Sequence, residues 1–207
     1  MKELIIYSDD VNAYLEADEI IDFHQKENGI SKLAEKIFME SESNLDFVKK
    51  AYEYVRDTFP HSADIGNDRL VCTASEVLKE GHGICFSKSH LLAALLRYKG
   101  IPTGFCYQKI ILDDDTAPYL VLHGLNGVYL EEYDRWIRLD ARGNRADVHA
   151  QFSLEEERLA FPIRKEKGEE DILVVYPKPD KNVISALKKF QTRSAFWSEI
   201  PSELAYK

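Results

Sequence analysis

The sequence predicts an α+β protein, with helices in its first half and a sheet in its second. Three observations carry this. Apolar residues recur at three- and four-residue spacing between positions 31 and 100, and the last such run, GICFSKSHLLAALLRYKG (83–100), puts Leu91, Leu92, Leu95 and Leu96 on one buried face. Gly100 and Pro102 then stop that helix, because glycine accepts a left-handed cap and proline cannot continue a helix. Beyond them the pattern changes to β-branched and aromatic runs, TGFCYQKIILDDD and PYLVLHGLNGVYLEEYDRWIRLD.

In chain order, LIIY opens a short strand. Asp18 and Asp22 flank Ile20 and Ile21, which reads as a solvated face carrying two core isoleucines, and His24 reads as surface. Ser31 caps a helix to about Glu40 with Leu33, Ile37 and Phe38 as its stripe. Asn44 caps the next, LDFVKKAYEYVRDTF, whose face is Phe47, Ala51, Tyr54, Val55 and Thr58 and which Pro60 ends. Residues 60–72 form a loop. There Asp64 is expected to cap local backbone and His61 to be solvated; a substrate-facing role for both is the competing reading, since loops often carry function. Thr73 to Glu76, TASE, is a capping box for a short helix ending at Gly81, and the turn GHG delivers Cys85 to the first turn of the leucine-rich helix. His82 is a turn residue that points back toward that helix start, poorly placed to reach the sulfur as a base.

The strand half holds two turn candidates. Asn126-Gly127 is a strong two-residue hairpin signal, and the acidic stretch Glu131–Asp134 is another. With the turn at 131–134, Leu130 faces Arg135, His123 faces Arg142, and His123 and Asp140 become diagonal neighbours on one face of adjacent strands. This register is preferred, with Asn126-Gly127 as a bulge or strand irregularity. Residues 141–168 read as irregular, with His149 solvated and SLEEE a short capped turn. A strand over Asp171–Tyr176, a helix opened by Asp180 (NVISALKKF), and Phe196 and Trp197 packed on the core complete the chain. The reading is one domain over residues 1–207, with a core at about 73–144 and terminal elaborations at 1–45 and 150–207.

Composition narrows the function. The chain has 207 residues, 44% hydrophobic and 30% charged, an ordinary globular balance. A net charge of −9 argues against nucleic-acid binding and against adhesion to an anionic membrane surface. No run approaches the length of a membrane span, and the apolar run near the start is too short for a signal peptide. Cys72, Cys85 and Cys106 form neither an even disulfide framework nor a CxxC pair, so a reducing cytoplasm is the expected setting.

The chemistry-bearing order is Cys85, His123, Asp140: a cysteine at a helix start, a histidine on a strand, an aspartate on the next strand. A helix N-terminus, with its unpaired amides and positive dipole end, favours a nucleophilic thiolate. A histidine takes the thiol proton and later protonates the leaving group. An aspartate fixes the imidazole tautomer and stabilises its cation. The Cys85 amide is a candidate oxyanion donor.

The segment from about Thr73 to Asn144 resembles the core of the transglutaminase-like superfamily, through GICFSKSHLLAALLRYKGIP around Cys85, HGLNGVYL from His123 and RWIRLDARGN around Asp140. The resemblance implies a papain-like α+β arrangement, a cysteine-bearing helix packed on an antiparallel sheet, here with added N- and C-terminal helices, and Cys85, His123 and Asp140 as the triad. The chain departs from the family pattern at His123-Gly124-Leu125, where many members carry a small residue and then an aromatic. That leaves the aromatic lining of an acyl tunnel unassigned, and no motif assigns a second oxyanion donor; His61 and Gln108 are the candidates to line the site, each with a packing or surface role as the alternative.

The superfamily includes crosslinking enzymes, cysteine peptidases, amidases and members of no known activity. The expectation is a cysteine-dependent hydrolase or acyltransferase that attacks a peptide, protein or small-molecule amide through a thioester. Transfer to an amine, as in protein transglutaminases, and a non-catalytic binding or scaffold role are the alternatives; a redox-sensitive thiol involving Cys106 is a third. No cofactor or metal is expected, since no calcium-loop spacing is present. Oligomeric state is left open.

Overall fold

The computed structural model describes residues 2–25 and 29–206. Among them, four α-helices precede the main sheet: α1 (Ile30–Met39), α2 (Asn44–Thr58), α3 (Ala74–Glu80) and α4 (Cys85–Tyr98). The strands are β1 (Ile5–Ile6), β2 (Thr103–Asp113), β3 (Ala117–Leu130), β4 (Arg135–Leu139) and β5 (Glu170–Tyr176), followed by α5 (Lys181–Lys189) and α6 (Arg193–Trp197). The sheet order is β1-β5-β2-β3-β4. All neighbours are antiparallel except β1, which joins β5 in parallel, so the sheet is mixed at that edge.

α4 is the centre. Leu91, Leu92, Leu95 and Leu96 are fully buried, and the helix packs against α1, α2 and α3 on one side and β2 and β3 on the other. It is buried nearly all round, as expected of a helix enclosed by two layers. Its end is pinned by Arg97, whose guanidinium donates to the carbonyls of Thr103, Glu16 and Pro177. The α+β expectation, the Thr73–Glu76 capping box, the Gly81 cap and the Asp180 N-cap all appear as read.

The differences have local causes. Gly29 in the left-handed region, not Ser31, caps α1, and Ser43 rather than Asn44 caps α2, accepting from the Asp46 amide. The α2 face includes Val48 and Tyr52, while Thr58 is exposed and Tyr54 only half-buried, because α1 and α4 both cover this helix and widen its buried stripe. Asp22 is not solvated: it is buried and accepts from the Ser75 amide (3.0 Å) and hydroxyl. The register with the turn at 131–134 holds, running from Leu130↔Arg135 to Asn126↔Leu139. Asn126-Gly127 is neither turn nor bulge. The ladder runs through it unbroken, and the slip falls between Ile111 and Asp113 instead. Asn126 is buried there, its amide nitrogen donating to the Ser89 and Gly104 carbonyls, so tertiary contacts overrule the local hairpin preference.

Candidate active site

The approach to Cys85 is stitched to the 60–67 loop. Gly81 turns in the left-handed region (φ 77°), and Gly83 bridges His61, with the Gly83 amide on the Pro60 carbonyl (3.3 Å) and the Ser62 amide on the Gly83 carbonyl (2.9 Å). The Ser87 hydroxyl accepts from the Ile84 amide (3.1 Å), and Ile84 itself offers no side-chain cap. The first amides of α4 therefore lack a side-chain partner from the cap, and Cys85 stands half-buried among them.

β3 brings His123 to this helix start, and Asp140 follows directly after β4. His123 Nε2 lies 2.8 Å from Asp140 Oδ2, and both side chains are almost wholly buried. Asp140 also accepts from the amides of Ala160 (3.0 Å) and Arg142 (3.1 Å). Burial opposes its charge, but the His123 charge and hydrogen bond and these two amides outweigh it and hold the carboxyl below its ordinary range. Burial likewise disfavours the His123 cation, yet the Asp140 carboxylate and the Cys85 sulfur, each acting by charge and by hydrogen bond, push the ring up to about 10. With Nε2 committed to Asp140, Nδ1 is the nitrogen left for the sulfur. Phe161 meets the ring edge-on, with centroids 5.0 Å apart.

The cleft in front of Cys85 has a volume of about 330 Å³. His61, Cys85, His123 and Arg142 are among its lining residues, with Asp113, Thr116, Arg145 and a majority of apolar side chains. His61 is buried rather than solvated. Its Nδ1 accepts from the Ala63 amide (3.3 Å), and burial, with the charges of Arg142 and Lys88, lowers its basicity so that the ring stays neutral. A neutral ring accepting at Nδ1 carries its proton on Nε2. Asp64 does not cap its own loop: its carboxylate takes Arg142 in a two-pronged pair (2.6 and 2.8 Å). Gln108 is the cross-strand partner of His123 but does not line the cleft; it is buried and donates to the Phe161 carbonyl (3.4 Å). His82 bonds Ser62 (2.9 Å), and Cys106 lies in a separate buried cluster with Tyr14, Leu125 and Val175.

Sequence reasoning missed Phe161, Arg142 and Lys88. Phe161 arrives from an irregular segment with no periodic signal. Lys88 had one: a lysine three residues after Cys85 and three before Leu91, on a face otherwise apolar. The small residue after His123, Gly124, also has a structural reason. A Cβ there would lie 2.5 Å from Phe86 Cδ1, so the bare backbone admits Phe86 beside the cleft. Among the described residues no group of three or more His, Cys, Asp or Glu is arranged to hold a metal ion, and no helix is long and apolar enough to cross a membrane.

A cysteine at the start of a helix packed on an antiparallel sheet defines the papain-like class of α+β folds. The chain belongs to the transglutaminase-like superfamily, whose family model matches residues 31–141, just over half of its length. Among solved structures it is similar to a candidate cysteine protease from Cytophaga hutchinsonii, with 20% identity and a TM-score of 0.53 over 65% of this chain and 43% of that one. It is also similar to the periplasmic domain of TgpA from Pseudomonas aeruginosa, with 16% identity and a TM-score of 0.44 over 62% of this chain and 45% of that one. The chain thus spans less than half the length of either protein. Comparison with the curated proteins gives no match.

Proposed function

We propose that the chain is a cysteine-dependent acyl-transfer enzyme, a hydrolase of peptide-like amides, with Cys85 as nucleophile, His123 as acid and base, and Asp140 as the group that orients and charges the histidine. The observation that carries this is one imidazole held at 2.8 Å by a buried carboxylate while it also interacts with a half-buried sulfur at a helix N-terminus. In this reading the Cys85 thiolate attacks the amide carbonyl. The oxyanion is met by the Cys85 amide and by the Nε2–H of His61, and the proton on His123 Nδ1 passes to the leaving amine. Water enters beside the sulfur, gives a proton to Nδ1 and attacks the thioester. Collapse of that intermediate releases the acid and regenerates thiolate and imidazolium. The three cysteines are free, which agrees with a reducing compartment such as the cytoplasm, and the terminal elaborations act as part of the same catalytic unit.

Iodoacetamide alkylation followed by intact mass tests the reading. Burial pushes the Cys72 and Cys106 thiols up to about 12, so Cys85 alone is expected to react. At pH 6 it is expected to outpace a free thiol by at least about tenfold, and His123→Ala to abolish the excess. A Cys85 that reacts no faster than free thiol would sink the assignment.

A further inference from the structure

The C-terminal segment lies outside the residues that match the superfamily, yet it builds one wall of the cleft. Phe196 of α6 is fully buried in the core, and beside it the half-buried Trp197 and Ile200 line the cleft. This strap is fixed along its length. The Arg193 amide bonds the Asp68 carbonyl (2.7 Å), the Ser194 amide and hydroxyl bond the Asp68 carboxylate (2.8 Å each), and the Ala205 amide bonds Asp180 (2.7 Å). Between them, the Pro201 carbonyl accepts from the Leu122 amide at 2.8 Å, one residue before His123. β4 pairs with β3 only from Asn126 onward, so the strap occupies the part of the β3 edge that β4 leaves bare.

Ile110, Leu112 and Val121 line the same cleft as Trp197 and Ile200, with Asp113 and Thr116 as polar neighbours. The arginines of the lining offer little to an acid: Arg142 is paired with Asp64, and Arg145 with Asp147 (2.7 and 3.0 Å). The cleft that holds the candidate nucleophile is therefore lined mainly by apolar side chains, with Asp113 and Thr116 as polar exceptions and its two arginines already paired.

We propose that the cleft selects amides carrying a bulky apolar group, aliphatic or aromatic, next to the attacked carbonyl, and that Trp197 and Ile200 determine this specificity. The proposal rests on the acyl-transfer reading of Cys85. Its test compares alkylation of Cys85 by iodoacetamide and by N-benzyl-iodoacetamide, each rate normalised to that of glutathione with the same reagent. The benzyl reagent is expected to be favoured at least about tenfold, in keeping with burial of an aromatic ring. Trp197→Ala and Ile200→Ala are each expected to reduce that preference several-fold, and Trp197→Phe to retain it, which separates lost lining from a disturbed fold. Fast alkylation by both reagents without preference would overturn the substrate class and leave the acyl-transfer reading standing. Slow alkylation by both would overturn that reading and this proposal with it. A preference untouched in the two alanine variants would remove the strap from specificity.

Discussion

Lys88 supplies a prediction in which sign and size both follow from geometry. It lies one turn beyond Cys85 on α4, fully buried, and its ammonium nitrogen donates to the carbonyls of Arg142 (2.8 Å) and Arg56 (3.1 Å). Burial, reinforced by the Arg142 charge, lowers it to about 7, against ~10.4 in an unfolded chain. Between those values the unfolded chain holds a proton that the folded one does not, so stability rises with pH at about 1.4 kcal/mol per unit. Lys88→Met removes this titration. It also leaves two carbonyls without their donor, a cost of about 1–3 kcal/mol each that does not vary with pH. The stability of the parent relative to Lys88→Met is therefore expected to rise by about 3.5 kcal/mol from pH 7 to pH 10. Urea unfolding of both proteins at each pH measures it, and titrations common to the two cancel in the difference. A difference that stays flat across this range would mean that the amine titrates as in water, and its lowered basicity would be refuted.

Three further outcomes are expected. Gly124→Ala drives a methyl to 2.5 Å from Phe86 and should cost about 1–3 kcal/mol, several degrees in Tm, with part recovered in Gly124→Ala/Phe86→Leu; an unchanged Tm would contradict the close approach. Asp140→Asn removes the carboxylate that stabilises the His123 cation, so the NMR titration midpoint of that ring should fall from about 10 toward the ordinary ~6.5; an unmoved midpoint would deny the pair its role. Arg138, itself buried, is shared between Glu157 (2.7 and 2.8 Å) and Asp171 (2.6 and 3.0 Å), so Arg138→Met should leave the half-exposed Lys2 as their remaining cation and lower unfolding stability by about 3 kcal/mol in urea, whereas a loss below ~1 kcal/mol would show that the cluster does not hold β4 to β5.

What was legible in the sequence was what local physics decides. The leucine spacing, the glycine-proline stop and the capping box before Gly81 each depend on a few adjacent residues, and all stand in the structure. The turn between β3 and β4 was found because two rival registers place His123 differently, and only one brings Asp140 near it. What escaped were contacts between segments far apart in the chain. His61 reads as a solvated loop residue until Gly83 pairs with it, and Asp64 as a local cap until Arg142 arrives from 78 positions away. Gln108 reads as a lining candidate because it lies on the strand before His123, but there its side chain donates to the Phe161 carbonyl instead. Nothing periodic in residues 141–168 announces that this segment supplies both Phe161 and the Ala160 amide to the site.

The site arises where the sheet stops being regular. Continued by three residues, the β3–β4 ladder would set Arg142 opposite His123; the pairing ends instead at Asn126↔Leu139, and the chain turns away at Asp140. That departure does three things at once. It frees the Asp140 carboxylate to meet the imidazole, it brings the Arg142 amide back onto the same carboxylate, and it bares the β3 edge at Leu122, where Pro201 docks. A ladder extended through Asp140 would occupy that edge and bind the backbone that now turns the carboxylate inward. The register therefore delivers His123 and Asp140 to the same end of the sheet, and its termination makes both the buried pair and the cleft beside it. A substitution that lengthened β4 would thus be expected to weaken the His123–Asp140 pair and displace the strap together, through one change in strand pairing.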